Sequence, residues 1–306
     1  MSSMKVFLLT AVLLPLASTF VLPEVAKHPQ NLDTYTIPYN DATARKQILY
    51  SAAAAYGSTP QKCIDKAFTG ATIRRVISTR CDVDPSDKCV GYTAVSPADK
   101  VILVVFRGTT NNVQLILEGL ETIFQYHTPW TAGGVVSQYF NDGFLNIWNA
   151  GLKDDFSALA AKYPGYQVWI TGHSLGGAMA SLAASYITYN KLYDASKVQL
   201  VTYGQPRVGD ASYAAAVDRD VTNKFRVTHA HDPVPHLPKE NMQGFKHHKA
   251  EVFYKEKMTK YNICDDVDES EFCSNGQVLP DTSIKDHLHY FDVDVSQLGY
   301  SNCANA

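Results

Sequence analysis

The chain has 306 residues, of which 45% are hydrophobic and 19% charged, a composition typical of globular proteins. Its formal net charge of −3 provides no basic surface for nucleic acid, so we expect no nucleic-acid partner. The length suits one large α/β domain or two small ones, and no break in composition favours two.

The first predicted element is a secretory signal. Lys5 precedes an apolar run over residues 6–17, and small residues follow. About a dozen apolar residues are too few for a permanent membrane span, and no other run in the sequence approaches one. We therefore expect a signal peptide over 1–19, cleaved somewhere within 17–21, and a soluble, extracellular domain over 20–306.

Helices and strands then alternate along the chain. Amphipathic or small-residue patterns predict helices over residues 43–56, 144–163 and 178–186. Apolar runs predict strands over residues 100–106, 166–170, 198–203, 224–228 and 250–254. The run 100–106 is almost continuously β-branched or apolar, as in a central strand buried on both faces. This alternation predicts a mainly parallel central sheet flanked by helices in an α/β domain.

The most informative motif surrounds Ser174. Gly172 and Gly176 flank it in a G-x-S-x-G pattern between the strand 166–170 and the helix 178–186. In such an elbow the serine is strained, and a side chain two residues away on either side would collide with the backbone. The pattern predicts a nucleophilic serine, with an oxyanion donor at the backbone N–H of Leu175.

A serine nucleophile needs a base and an acid, which follow it in this type of sheet. Asp232 lies in a proline-stiffened loop just after the strand 224–228, where a carboxylate is well placed. Of the ten histidines, position excludes several, including His173, which strand alternation directs away from the serine. The four that remain are His247, His248, His287 and His289. Chain order favours the last two and does not choose between them.

Six cysteines lie beyond the signal and are disulfide candidates in a secreted protein. Short rings are expected for two pairs, Cys81 with Cys89 and Cys264 with Cys273. Cys63 and Cys303 remain, and a bridge between them would contribute about 4 kcal/mol in the chain-entropy model. This pairing is one hypothesis among the 15 that six cysteines allow. No C-x-x-C spacing indicates a zinc site, and we expect no metal or cofactor.

The chain resembles the class 3, or fungal-type, triacylglycerol lipases, which are α/β-hydrolases, from about Tyr50 to Cys303. Matching motifs occur in one order at residues 50–56, 105–109, 142–144, 171–178, 203–209, 232–238 and 287–291. The resemblance implies Ser174 as the nucleophile, Asp232 as the acid and His287 as the base. The family's terminal His-Leu-x-Tyr-Phe motif selects His287 over His289.

The resemblance also implies further site residues. Thr109 stands where the family has an oxyanion donor that acts together with Leu175, and His247 matches a non-catalytic histidine. The family has disulfides similar to Cys81–Cys89 and Cys63–Cys303. It has a short amphipathic lid that corresponds here to residues 111–120, in which an apolar stripe would be formed by Ile116, Leu117 and Leu120. Leu115 replaces a tryptophan frequent in that lid.

These observations predict a secreted serine ester hydrolase of the triacylglycerol lipase type, which acts on a lipid or ester substrate at a lipid–water interface. One alternative is a feruloyl esterase or a phospholipase on the same scaffold, which acyl-chain length and lid polarity would distinguish. Another is a secreted lipid-binding protein that has lost catalysis. The elbow, the acid and the terminal histidine are all present, which argues against the inactive alternative.

Overall fold

Strands make up the centre of the protein. The computed structural model describes residues 35–81, 88–108, 120–240, 242–264, 269–277 and 282–304. The strands in these ranges are β1 (Thr72–Arg80), β2 (Lys88–Ser96), β3 (Val101–Phe106), β4 (His127–Pro129), β5 (Val135–Ser137), β6 (Gln167–His173), β7 (Val198–Tyr203), β8 (Gly209–Asp210), β9 (Asn223–His229), β10 (Phe245–Lys246), β11 (Glu251–Tyr254), β12 (Tyr261–Cys264), β13 (His289–Tyr290) and β14 (Val293–Asp294).

Eight strands form the central sheet, in the order β1-β2-β3-β6-β7-β9-β11-β12. The inner strands β3, β6, β7, β9 and β11 pair in parallel. Antiparallel pairs, β1 with β2, β2 with β3 and β11 with β12, complete the two edges. A smaller antiparallel sheet has the order β10-β8-β5-β4, and β13 pairs with β14. The mainly parallel central sheet confirms the predicted α/β class.

Helices pack on both faces of this sheet. The first helical segment, α1, combines Asp41–Thr43, the π-helical turn Ala44–Ile48 and Leu49–Ala54. The other helices are α2 (Gln61–Ala67), α3 (Leu120–Gln125), α4 (Gln138–Ile147), α5 (Lys153–Lys162), α6 (Leu175–Tyr189), α7 (Ala211–Asp220), α8 (Ile284–Leu288) and α9 (Val295–Tyr300).

Strand β3 shows why the core has two halves. Every residue of β3 is at most 1% exposed, as predicted for a central strand. Ile102, Val104 and Phe106 pack with α4, α5 and α6 on one face of the sheet. Val101, Leu103 and Val105 pack with α1, α2 and α9 on the other. Successive side chains of a strand point to opposite faces, so a continuous apolar run supplies both hydrophobic layers.

Several elements differ from the sequence prediction, including one divided helix, the first two strands and the smaller sheet. The helix predicted over 144–163 is interrupted by the π-helical turn Trp148–Leu152, in which Gly151 has a φ of 127°. Glycine adopts this conformation because it has no Cβ, and a Cβ there would lie 2.3 Å from the Arg75 guanidinium. Strand β1 was not predicted, because it is exposed and polar along most of its length. Its antiparallel partner β2, which is buried, was not predicted either.

Three disulfides join the expected partners, Cys63 with Cys303, Cys81 with Cys89 and Cys264 with Cys273. The first spans 240 residues and ties α2 to the chain just after α9. Closing so long a loop constrains the unfolded chain more than either short ring does. Within the described residues, no helix is long and apolar enough to cross a membrane.

Candidate active site

The elbow predicted around Ser174 is present between β6 and α6. Ser174 has φ 59° and ψ −130°, a strained conformation for a residue with a side chain. A Cβ at Gly172 would lie 2.3 Å from the carbonyl group of Gly176. One at Gly176 would lie 2.4 Å from the carbonyl oxygen of Phe106. Only glycine fits at either position, so the motif is a steric requirement of this turn.

The N-terminus of α6 forms one side of the candidate oxyanion site. Leu175 is the first residue of this 15-residue helix, so its backbone N–H has no acceptor within the helix. Such N–H groups and the helix dipole favour negative charge. Gly176 packs closely against the backbone of Phe106, Arg107 and Gly108. Thr109, the second predicted donor, follows directly and lies outside the described residues.

Asp232 lies just beyond the end of β9, in a loop that continues into the 3₁₀ turn Val234–His236. It is 2% exposed. Its carboxylate accepts hydrogen bonds from the Tyr290 hydroxyl at 2.6 Å and the Val234 N–H at 2.9 Å. Burial alone would raise the pKa of Asp232, but His287 and these two donors outweigh it and lower that pKa below its ordinary value. The carboxylate is therefore ionised at neutral pH.

His287 lies in α8 and is fully buried. Its Nδ1 lies 2.9 Å and 3.0 Å from the two carboxylate oxygens of Asp232. An ionised carboxylate only accepts hydrogen bonds, so Nδ1 must carry the proton. In neutral His287 the free lone pair is then on Nε2, which is the atom that a general base requires.

The loops around His287 are fixed by hydrogen bonds to the β9 end of the sheet. Ser283 caps α8 by accepting from the Asp286 N–H at 3.1 Å. The backbone of His231 accepts from the Ser283 N–H at 2.9 Å and donates to the Asp286 carboxylate at 3.1 Å. Nδ1 of His229 lies 3.0 Å from the Asp286 carbonyl oxygen and 2.7 Å from that of His289, one on each side of His287.

Two buried polar atoms of this cluster have no hydrogen-bond partner in the described ranges. Among the residues that the structure describes, neither the Ser174 Oγ nor the His287 Nε2 makes a hydrogen bond. Gly204 packs against the Asp232–His287 pair, since a Cβ there would lie 2.8 Å from the Asp232 carboxylate and 2.9 Å from the His287 ring. Strained serine, free imidazole nitrogen, buried carboxylate and helix N-terminus together suit acyl transfer through a serine ester.

The remaining predicted residues divide into two groups. His247 and His248 are buried elsewhere, where each hydrogen-bonds a backbone carbonyl, and Nδ1 of His289 lies 2.9 Å from the Lys285 carbonyl oxygen. The lid residues Ile116 and Leu117 lie outside the described part of the chain. Leu120 is described only as the first residue of α3.

Sequence reasoning missed three residues at the site. Tyr290 hydrogen-bonds the acid, Gly204 provides the space beside it, and the ring of His173 stacks on that of His287 at 4.7 Å between centroids. Tyr290 and Gly204 both occur within motifs that match the lipases, which was the available signal. His173 was expected to point away from the serine, and its ring stacks on that of the proposed base.

Comparisons with known proteins agree with this geometry. Residues 103–242 match the family model described as Lipase (class 3). A protein of Caenorhabditis elegans named Lipase ZK262.3 is 35% identical over 298 residues, which cover 87% of this chain and 83% of that protein. Secreted mono- and diacylglycerol lipase 1 of Fusarium solani is 32% identical over 210 residues, 65% of this chain and 59% of that protein.

Solved lipase structures also superpose on this chain. One is a triacylglycerol lipase whose catalytic centre is described as a serine protease triad. It superposes with a TM-score of 0.71 and 27% identity, covering 81% of this chain and 93% of that one. The fold is the α/β-hydrolase fold, and the nematode relative matches over nearly the whole length of both chains. The chain belongs to the class 3 lipase family and is a carboxylic ester hydrolase of that family.

Proposed function

We propose that this protein is a secreted triacylglycerol lipase that works through an acyl-enzyme on Ser174. The observation that carries the proposal is the strained Ser174 at a helix N-terminus, whose N–H donates to the Tyr203 carbonyl. The next residue, Gly204, packs against the His287 imidazole, whose Nδ1 is held 2.9 Å from a buried carboxylate. This arrangement provides a nucleophile, a base of defined tautomer and a site for negative charge in one place.

In the proposed mechanism, Nε2 of His287 takes the proton from the Ser174 hydroxyl as Oγ attacks the ester carbonyl. The oxyanion that forms is bound by the backbone N–H of Leu175 and by Thr109. His287 then donates its proton to the leaving alcohol, which leaves the acyl group on Ser174. Water, deprotonated by His287, attacks the acyl-enzyme, and the fatty acid leaves as the proton returns to Ser174. No metal ion or cofactor takes part in these steps.

Asp232 supports this cycle without reacting. It holds His287 in the tautomer with the proton on Nδ1, and its negative charge stabilises the imidazolium that forms in each half-reaction. The Tyr290 hydroxyl, the Val234 N–H and the His287 Nδ1–H all donate to the carboxylate, so it remains ionised although it is buried. In a site with a low dielectric constant, such preorganised partners require little rearrangement during the reaction.

Access to the reacting groups is part of the proposal, because these groups are buried. Ser174 is 2% exposed and His287 is fully buried, so a bulky ester reaches Oγ only after a covering segment moves. We propose residues 111–120 as that lid, with Ile116, Leu117 and Leu120 as the apolar stripe that contacts the lipid surface. The triacylglycerol lipase that superposes on this chain is consistent with the substrate class.

Secretion is the second part of the proposal. We propose residues 1–19 as a cleaved signal peptide and 20–306 as the lipase domain. Three disulfides with no free cysteine among the described residues are suited to an oxidising compartment. Edman sequencing of the protein recovered from the medium should give an N-terminus within residues 18–22.

The substrate proposal is tested by measuring hydrolysis with the purified mature protein across the solubility limit of the substrate. We expect slow turnover of dissolved tributyrin, a jump in rate once tributyrin forms an emulsion, and hydrolysis of emulsified triolein. Phosphatidylcholine vesicles and methyl ferulate are offered in parallel. Preferred hydrolysis of either of these would assign the protein to the phospholipases or feruloyl esterases and refute the triacylglycerol proposal.

A further inference from the structure

His173 is buried beside the site and has no role in the mechanism described above. It is 2% exposed, and both of its ring nitrogens hydrogen-bond residues that are distant in sequence. Nε2 lies 2.8 Å from the backbone carbonyl oxygen of His287. Nδ1 lies 2.9 Å from the hydroxyl oxygen of Tyr56. The ring therefore connects the elbow to α8, which carries the proposed base, and to the turn just after α1.

These contacts determine the tautomer of His173. A carbonyl oxygen only accepts, so Nε2 carries the proton and donates to His287. In the neutral ring Nδ1 is then an acceptor, and the Tyr56 hydroxyl donates to it. Burial, followed by the proximity of His287, lowers the pKa of His173 to about 3. The ring is neutral at the pH of the reaction, so it adds no positive charge next to the imidazolium that His287 must form.

His173 also restricts the ring of His287 directly. The two imidazoles stack with centroids 4.7 Å apart and an interplanar angle of 29°. Tyr290, which donates to Asp232, packs edge-on against His173 at 5.9 Å. One face of the proposed base, its backbone carbonyl and the tyrosine that supports its acid are thus all in contact with a single side chain.

Tyr56 extends the network to the oxyanion side. Its hydroxyl donates to His173 and lies against Gly108. A Cβ at Gly108 would lie 2.3 Å from this hydroxyl and 2.5 Å from the carbonyl oxygen of His173. Gly108 directly precedes Thr109, so the backbone that leads to the proposed oxyanion donor is held against the same two residues.

We propose that His173 is a positioning residue. It holds the imidazole of His287 and, through Tyr56, the backbone of Gly108 in the positions relative to Ser174 that the reaction requires. It contacts no substrate and acts through these neighbours. The inference rests on the proposed function, because it assumes that His287 is the base and that the segment after Gly108 binds the oxyanion. A displacement of about 1 Å in such groups costs on the order of 100-fold in rate.

The test compares His173→Gln with His173→Leu on a dissolved monomeric ester such as p-nitrophenyl butyrate. The glutamine side chain carries both an N–H donor and a carbonyl acceptor. The leucine side chain has a similar volume but neither a donor nor an acceptor. We expect His173→Leu to lower kcat by about 100-fold with KM changed less than about threefold. His173→Gln should retain kcat within about tenfold of the wild type.

A matched pair of tyrosine variants separates positioning from loss of stability. Tyr56→Phe removes the hydroxyl that bonds His173, and we expect kcat to fall by about tenfold. Tyr213→Phe removes a buried hydroxyl that bonds Ser181 at 2.8 Å between α7 and α6, and we expect wild-type kcat. The assays are run well below the unfolding midpoint of every variant, so that a change in folded fraction does not contribute.

The inference is refuted if His173→Leu keeps wild-type kcat, if glutamine and leucine lower kcat equally, or if Tyr56→Phe and Tyr213→Phe behave alike. Should the leucine variant fail to fold, the glutamine and tyrosine variants decide the question. Ser174→Ala is measured in the same series. Retained activity in that variant means that the proposed function has failed, whereas an inactive Ser174→Ala beside a fully active His173→Leu means that only the positioning role has failed.

Discussion

Replacing Ser174 with alanine is expected to lower kcat for ester hydrolysis by about a million-fold, because no acyl-enzyme forms without Oγ. The fold should be nearly unaffected. Within the described residues, the Ser174 Oγ makes no hydrogen bond that the substitution would remove. Alanine meets the same strain as serine at a φ of 59°. We expect the midpoint of thermal unfolding to stay within about 3 °C of the wild type.

The comparison requires hydrolysis and unfolding to be measured on one preparation. Ser181, a buried serine of α6 that bonds Tyr213, provides the control substitution Ser181→Ala. That variant should keep its activity and lose some stability, the reverse of Ser174→Ala. Hydrolysis at more than a hundredth of the wild-type rate in Ser174→Ala would show that another group is the nucleophile.

Replacing Asp232 with asparagine is expected to lower kcat by about ten-thousandfold. The negative charge that stabilises the His287 imidazolium is lost. In addition, an amide N–H at the position of the carboxylate oxygen that accepts from Tyr290 would lie about 3.0 Å from His287 Nδ1. That donor favours the imidazole tautomer that carries its proton on Nε2. In this tautomer Nε2 has no lone pair with which to accept the proton of the Ser174 hydroxyl.

The control for this effect is Tyr290→Phe, which removes one donor to Asp232 and leaves the carboxylate in place. A hydrogen bond to a charged group contributes about 1.5–3 kcal/mol, so we expect kcat to fall by roughly ten- to a hundredfold. Both variants are compared with the wild type in a pH profile of kcat/KM. An Asp232→Asn enzyme that retains a tenth of wild-type activity would contradict the assignment of Asp232 as the acid.

The sequence predicted the elbow well because its constraints are local. Gly172 and Gly176 are required by contacts with backbone within a few residues or on the neighbouring strand, and the strand and helix on either side have clear patterns. The inner strands of the sheet were predicted for the same reason. A strand buried on both faces is a continuous apolar run, which is readily recognised in sequence.

The base could not be chosen from local pattern. Four histidines remained, because a histidine becomes a base through a partner that is distant in sequence, here an aspartate 55 residues earlier. Only the resemblance to class 3 lipases separated His287 from His289. His247, which the resemblance matched to a non-catalytic histidine, and His248 are both buried against backbone carbonyls near the charged Arg226.

The supporting residues were harder still. The role of His173 depends on Tyr56, which lies 117 residues away, and on a carbonyl 114 residues away. Strand alternation gives the face of the sheet to which a side chain points, and it does not give what another loop brings to that face. The edge strand β1 was missed because its side chains are exposed and polar on most of its length, which gives no apolar period.

The central claim, that Ser174 is a nucleophile activated by His287, is tested most directly by labelling with a fluorophosphonate probe, followed by peptide mapping. We predict stoichiometric labelling at Ser174 in the wild type, and labelling slowed by at least about a thousandfold in His287→Ala. Labelling at another residue, or unchanged labelling of Ser174 in His287→Ala, would contradict the claim.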